Sequence, residues 1–130
     1  MSFKVVKHLV IILALLIAAS TKASSEPIKI GDIFYCSSAT GSFAEAPYWE
    51  SANWKNESFR FEVASEDRLI FGAYGFLRDH HFNLTLRSPE SAWIRGTRND
   101  AIFNLQNGRF SYAKANGAIS AYMTGTCDKF

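Results

Sequence analysis

Two Asn-Gly dipeptides near the C-terminus constrain this chain more than anything else in it. Residues 102–124 read Ile-Phe-Asn-Leu-Gln, Asn107-Gly108, Arg-Phe-Ser-Tyr-Ala-Lys-Ala, Asn116-Gly117, Ala-Ile-Ser-Ala-Tyr-Met-Thr. Asn-Gly between alternating apolar runs marks a two-residue hairpin, because both residues accept the positive φ of a type I′ turn. A turn at Asn107-Gly108 sets Leu105 opposite Phe110 and Phe103 opposite Tyr112. A turn at Asn116-Gly117 sets Tyr112 opposite Ala121, Phe110 opposite Met123 and Lys114 opposite Ile119. Phe103, Leu105, Phe110, Tyr112, Ile119, Ala121 and Met123 then share one face, and a slip of one residue would turn them all outward. Counting on by twos from Met123 passes Gly125 and reaches Cys127, which is expected to point to the same interior.

The start of the chain points to a compartment. Lys4, Lys7 and His8 precede an unbroken apolar run from Leu9 to Ala19, and small residues follow from Ser20 to Ser25. A basic segment, a short apolar core and a small-residue exit describe a secretory signal peptide. The apolar run falls short of the roughly 20 residues a membrane-spanning helix needs. The expected domains are a leader, residues 1–23, and a single all-β domain, residues 24–130. The expected location is extracytoplasmic, secreted or periplasmic, with no stable membrane insertion once the leader is removed.

The whole chain carries 14 Lys+Arg and 12 Asp+Glu. Cleavage after Ala23 removes Lys4, Lys7 and Lys22 and no acid, which leaves 11 basic against 12 acidic residues. The mature chain is near neutral and its arginines are scattered singly, so charge argues against a nucleic-acid partner. Of the 11 Phe, 5 Tyr and 3 Trp, only Phe3 lies in the leader. About 107 residues rich in aromatics suit one β-rich domain with a single core.

Cys36 and Cys127 are the only two cysteines. In an oxidising compartment they allow one bridge. It would close a loop of roughly 90 residues, for which the chain-entropy estimate is about 4–5 kcal/mol. Such a bridge joins the first strand to the last, the arrangement in which a barrel or closed sandwich ends. No C-x-x-C motif and no adjacent His or Lys suggests thiol chemistry.

Between the cysteines the periodicity is two. Ile28–Ile30 and Asp32–Cys36 read as a first strand broken at Gly31, Ser58–Val63 as a second, and Arg68–Tyr74 as a third that is apolar on both faces and therefore central. His81–Arg87 alternates, Ser88-Pro89-Glu90 turns, and Ala92–Arg95 is a short strand before the terminal meander. The expected fold is all-β: a small antiparallel barrel or sandwich of about eight strands, ending in a three-stranded meander and closed by one disulfide.

Residues 37–57 carry no strand pattern, and a structureless stretch of about twenty residues is uncommon in a compact domain. Pro47 could open a short helix ending near Trp54. Phe43, Tyr48, Trp49 and Trp54, interleaved with Glu45, Glu50 and Lys55, could form a sugar-stacking or peptide-binding platform. The same rings could instead plug one end of a barrel. The candidate binding residues are Phe43, Tyr48, Trp49, Glu50 and Trp54.

Catalytic patterns are sparse. His80 and His81 follow Asp79, but neighbouring residues on a strand face opposite ways, and closed zinc sites want three or four ligands. There is no G-x-S-x-G elbow and no glycine-rich phosphate loop. Glu45 and Glu50 could in principle form a glycosidase pair, although two loop carboxylates among 12 acidic residues is near what chance gives. No catalytic residue, metal ligand or cofactor is assigned. Asn56-Glu57-Ser58 and Asn83-Leu84-Thr85 are glycosylation sequons, meaningful in a eukaryotic secretory pathway.

In size, leader and barrel-like pattern the chain resembles the small exported lysozyme inhibitors of bacteria. That resemblance implies an inhibitor acting through a Ser-Gly-containing loop, from which Thr40-Gly41-Ser42-Phe43 departs. The expected function is a non-enzymatic binding or inhibitor module that meets a protein or glycan partner through residues 37–57. A small hydrolase of glycans or esters built on Glu45, Glu50, His80 or His81 is the alternative, and a passive envelope component is a third.

Overall fold

A computed structural model of the chain describes residues 26–130; the expected leader, residues 1–23, lies outside them. Nine strands follow one another: β1 (Ile33–Glu45), β2 (Ala52–Asn53), β3 (Ser58–Ser65), β4 (Arg68–Phe71), β5 (His81–Ser88), β6 (Trp93–Arg98), β7 (Ala101–Gln106), β8 (Arg109–Ala115) and β9 (Ile119–Lys129). A single 3-10 turn, Pro89–Ser91, joins β5 to β6. All pairings are antiparallel, in the order β1-β3-β4-β5-β6-β7-β8-β9, and β9 returns to β1. The fold is therefore a closed eight-stranded barrel, with β2 added on the outer edge of β1. Among the described residues no helix is long and apolar enough to cross a membrane.

Alternation supplies the interior. Phe34, Phe59, Phe61, Phe71, Phe82, Phe103 and Phe110 are all buried. Phe61 lies at the centre, with ring centroids 5.1 Å from Phe34, 5.4 Å from Phe71 and 5.1 Å from Phe103. Edge-to-face and offset pairs of this kind add about 0.5–1.5 kcal/mol each beyond the area they bury. Gly96 belongs to the same packing, since a Cβ there would stand 2.8 Å from Leu69 Cδ1 and 3.1 Å from Phe82 Cβ.

Closure rests on β1 and β9. They pair from Phe34↔Lys129 to Glu45↔Ile119, with a bulge between Ser38 and Thr40. Cys36 and Cys127 are direct partners in that ladder and are disulfide-bonded, with Cα atoms 4.0 Å apart. Both are buried, as the inward parity of Cys127 requires. Two residues on, the backbones come so close that only glycine fits at 125. A Cβ there would stand 2.6 Å from Cε1 of Phe110 and 2.8 Å from Cα of Ser38.

One hairpin follows the expected register and the other does not. Asn107 and Gly108 have φ of +49° and +76°, and Leu105 faces Phe110 as Phe103 faces Tyr112. Asn116-Gly117 is not a type I′ turn. Asn116 Oδ1 accepts the N–H of Ala118 (2.7 Å) and of Ile119 (2.8 Å), and its own N–H donates to the Ile119 carbonyl (2.9 Å). This side-chain turn makes a four-residue loop and pairs Ala115 with Ser120. Partners therefore move by two: Tyr112 faces Met123, Lys114 faces Ala121 and Phe110 faces Gly125. A shift of two keeps parity, so the inward set survives, with Ile119 only half-buried.

Three other expectations are corrected. The first strand starts at Ile33, because Gly31 turns the chain at φ +94°, and it runs on to Glu45 through residues expected to be loop. No helix follows Pro47; the chain turns there and returns as β2. The strand expected over Arg68–Tyr74 is β4 and ends at Phe71, and residues 72–80 form a loop that closes the barrel with Leu77 buried and Phe76 half-buried.

The two ends are closed differently. The end that carries the Asn107-Gly108 turn, here the floor, is covered by Ile28, which is buried. Lys129 Nζ holds this segment, 3.2 Å from Asp32 and 3.5 Å from Glu26. The opposite end, the rim, is filled by aromatic side chains from residues 43–76.

Gly125→Ala is expected to lower stability by about 1–3 kcal/mol through overpacking. Gly117→Ala meets open space at an ordinary φ, and should be neutral or stabilising by up to about 1 kcal/mol. Urea unfolding of the two variants checks the contrast.

Candidate functional site

Residues 38–57 form an arm whose backbone is tied to the barrel along its length. Ser42 pairs with Asn53 and Phe43 with Ala52. The Trp54 N–H donates to the Gly41 carbonyl (3.0 Å), and the Ser38 N–H donates to the Glu57 carbonyl (2.8 Å). Ser38, the one buried polar residue of the described chain, accepts the Glu57 N–H on its hydroxyl at 2.7 Å. The Glu57 carboxylate accepts the N–H of Phe76 at 3.0 Å, which fastens the arm to the 72–80 loop. Burying the Ser38 hydroxyl is tolerable because that bond satisfies it.

The arm divides the five candidate residues into two groups. Phe43 and Trp54 turn inward. Their rings lie 5.7 Å apart, Trp54 meets Phe76 edge-on at 4.5 Å, and Phe76 meets Tyr112 at 5.0 Å. This chain of rings closes the rim. Tyr48, Trp49 and Glu50 occupy the tip, with Tyr48 85% and Trp49 44% exposed. Trp49 has φ +53°, and its N–H donates to the Glu45 carbonyl at 3.0 Å. Ala46 donates to the Ala118 carbonyl at 2.8 Å, so the tip is braced on the β8–β9 loop. The stretch Thr40-Gly41-Ser42-Phe43 is strand, not loop, and Gly41 lets β9 approach, since a Cβ would stand 3.1 Å from the Tyr122 carbonyl oxygen.

The residues of the hydrolase reading are scattered. His81 is exposed at the start of β5, opposite Ile70. His80 bonds through Nδ1 to the Arg78 carbonyl at 2.8 Å and lines a rim cleft of about 150 Å³. Arg98, Asp100, Tyr112 and Lys114 share that cleft, and neither Glu45 nor Glu50 reaches it. Among the described residues no three His, Cys, Asp or Glu side chains are grouped to hold a metal ion.

The cleft has its own electrostatics. A side-chain hydrogen bond from Asn116 holds the Asp100 carboxyl below its usual range, against an opposing effect of desolvation. Its own backbone N–H and the charges of Lys114 and Arg98 add to the lowering. Burial pushes the Tyr112 phenol up, and the Asp100 charge adds to this. Nothing in the sequence pointed to this pairing, because Asn116 reads there as a turn residue only.

A second surface was also invisible to motif reading. The outer face of β6, β7 and β8 holds a shallow groove of about 620 Å³ lined by Trp93, Arg95, Asn104, Gln106 and Arg109 among others. The alternation of Trp93, Arg95 and Thr97 against buried Ile94 and Gly96 was its one available signal.

Trp54→Ala is expected to cost about 2–4 kcal/mol, because it opens the ring-filled rim. Trp49→Ala should cost under about 1 kcal/mol, as surface substitutions do. Thermal melts of the two variants test the division. Asn116→Ala should return the Asp100 pKa toward its ordinary 3.8. Since that pKa is lowered in the folded chain, the bond stabilises above pH 3.8 and its contribution fades as pH falls through the lowered value. A carboxyl NMR titration of both forms reads the change.

Set beside known proteins, the chain matches no family model, no curated protein and no solved structure.

Proposed function

We propose that this is a non-enzymatic binding module of inhibitor type, exported from the cytoplasm, whose contact surface is the tip of the 38–57 arm. The observation that carries the reading is the pair Tyr48 and Trp49, exposed side by side on a backbone fixed at both flanks. Large aromatic rings supply most of the contact energy where proteins meet, and a preformed backbone lowers the ordering cost of binding. A projecting tip with two rings suits a concave partner, such as the cleft of an enzyme. The Cys36–Cys127 bridge supports an oxidising location, secreted or periplasmic.

The division of the aromatic residues narrows the site. Phe43 and Trp54 act as the foundation and are not contact residues, while Tyr48, Trp49 and Glu50 meet the partner. Loops on rigid scaffolds commonly carry binding in this way.

The test is capture from an extracytoplasmic extract with the mature domain as bait. The wild-type domain should retain a partner that the Tyr48→Ala, Trp49→Ala double variant loses, with affinity reduced by about thirtyfold or more. Equal capture by a variant with an unchanged melting temperature would remove the arm from the account.

A further inference from the structure

The groove on the outer face of β6–β8 is lined by no residue of the 38–57 arm. In the closed order the strands of the groove lie two (β8) to four (β6) places from β1. The residues that line the groove also sit toward the floor, beside the Asn107-Gly108 turn, whereas the arm rises from the rim. We propose that this groove is a binding site for an oligosaccharide that carries carboxylates. Trp93 would act as the stacking ring, and Arg95 and Arg109 as the carboxylate partners.

Three observations converge. First, the lining includes two arginines and no acidic residue, although the mature chain is near neutral. Second, the polar groups are already fixed. Arg95 donates its Nε–H to Asn104 Oδ1 at 2.8 Å, and Asn104 Nδ2 donates to Ser111 Oγ at 3.3 Å. Ser111 is paired with Thr124, whose hydroxyl lies 2.7 Å from that of Thr40. A polar belt thus runs across β6, β7, β8, β9 and β1. Among the described residues the terminal N–H groups of Arg95 have no partner, so its planar fork can take a carboxylate. Third, the Arg95 guanidinium lies over the Trp93 ring, 5.6 Å from its centre, which places a cation and an aromatic surface together in the groove.

This combination fits a sugar acid better than other anions. A pyranose presents C–H groups to a ring and hydroxyls to Asn104, Gln106 and Ser111, while its carboxylate meets an arginine. An extended peptide would pair with a free strand edge, and β6, β7 and β8 are each paired on both sides. A nucleic acid would call for a longer basic track than two arginines.

Calorimetry of the mature domain with hexagalacturonate, cellohexaose and a polyglutamate of matched charge tests the proposal. Hexagalacturonate should bind at least about tenfold more tightly than either of the others, and shift the tryptophan fluorescence. Arg95→Gln and Arg109→Gln should each weaken it by about fivefold or more, and Trp93→Ala should abolish it. Arg109 is exposed at a turn, so its variant keeps the fold even if Trp93→Ala does not. The Tyr48→Ala, Trp49→Ala variant should bind hexagalacturonate as the wild type does, which separates this site from the arm. The proposal is overturned if cellohexaose or polyglutamate binds as tightly as hexagalacturonate, if no binding occurs at millimolar ligand, or if the Arg95→Gln, Arg109→Gln double variant binds unchanged.

Discussion

The ladder between β1 and β9 is the contact on which the rest of this molecule depends. From β3 to β9 every successive pair is joined by a loop or turn and can form locally. The β1–β9 pairing instead brings together residues separated by most of the domain, and closing so long a loop costs chain entropy before any contact is gained. The Cys36–Cys127 bridge spans 91 residues inside that ladder. In the chain-entropy account a loop of this size contributes about 4–5 kcal/mol by restricting the unfolded chain. Gly125 lets the backbones meet, and Phe110 packs over the gap left by the missing side chain. Closure also lets the seven inward phenylalanines surround one another instead of facing water.

The same ladder produces the arm. Beyond Ser37, β1 has lost β3 as a neighbour but keeps β9. A strand with one bare edge there would invite pairing with other chains. Residues 52–57 cover it, through β2, the Trp54–Gly41 bond and the two bonds between Ser38 and Glu57. The arm is thus a continuation of the barrel wall that folds back on itself. Its inner rings serve the core, and its tip is left without a core to join. Glu57 is central to this arrangement, because one residue ties β1 to the loop that carries Phe76 and Leu77.

Where hydrophobic alternation was strong, the structure follows the sequence closely. The Phe103–Tyr112 hairpin and the strands Ser58–Val63 and His81–Leu84 carry large apolar residues at every second position, and where a bulge follows Leu84 the next one, Leu86, is exposed. Ser37 to Glu45 carries small and polar residues apart from Phe43, so its periodicity was silent, and the segment is a strand because β9 supplies a partner. Asn116-Gly117 failed for a different reason. The dipeptide is compatible with a type I′ turn, but an asparagine side chain can also close a turn by accepting backbone N–H groups, and a bond to Asp100 across the rim reinforces that choice. The division of Trp49 from Trp54 was likewise unreadable, since both are tryptophans among polar neighbours. Only the return of β2 decides which one faces Phe76.

A closed barrel limits how such a domain can recognise anything. Its backbone donors and acceptors are consumed in the ladders, and the two-residue β2 is too short to template an added strand. Recognition must then come from side chains, either on a projection or on an outer face. The inner face is filled with phenylalanine and will not accept change without loss of packing. The outer positions of β6–β8 and the tip at 48–50 have no such duty, because neither contributes a buried ring. Substitution at either place is therefore expected to leave the closure between β1 and β9 intact, so the two proposed contact surfaces can be varied without disturbing the ladder that holds the barrel shut.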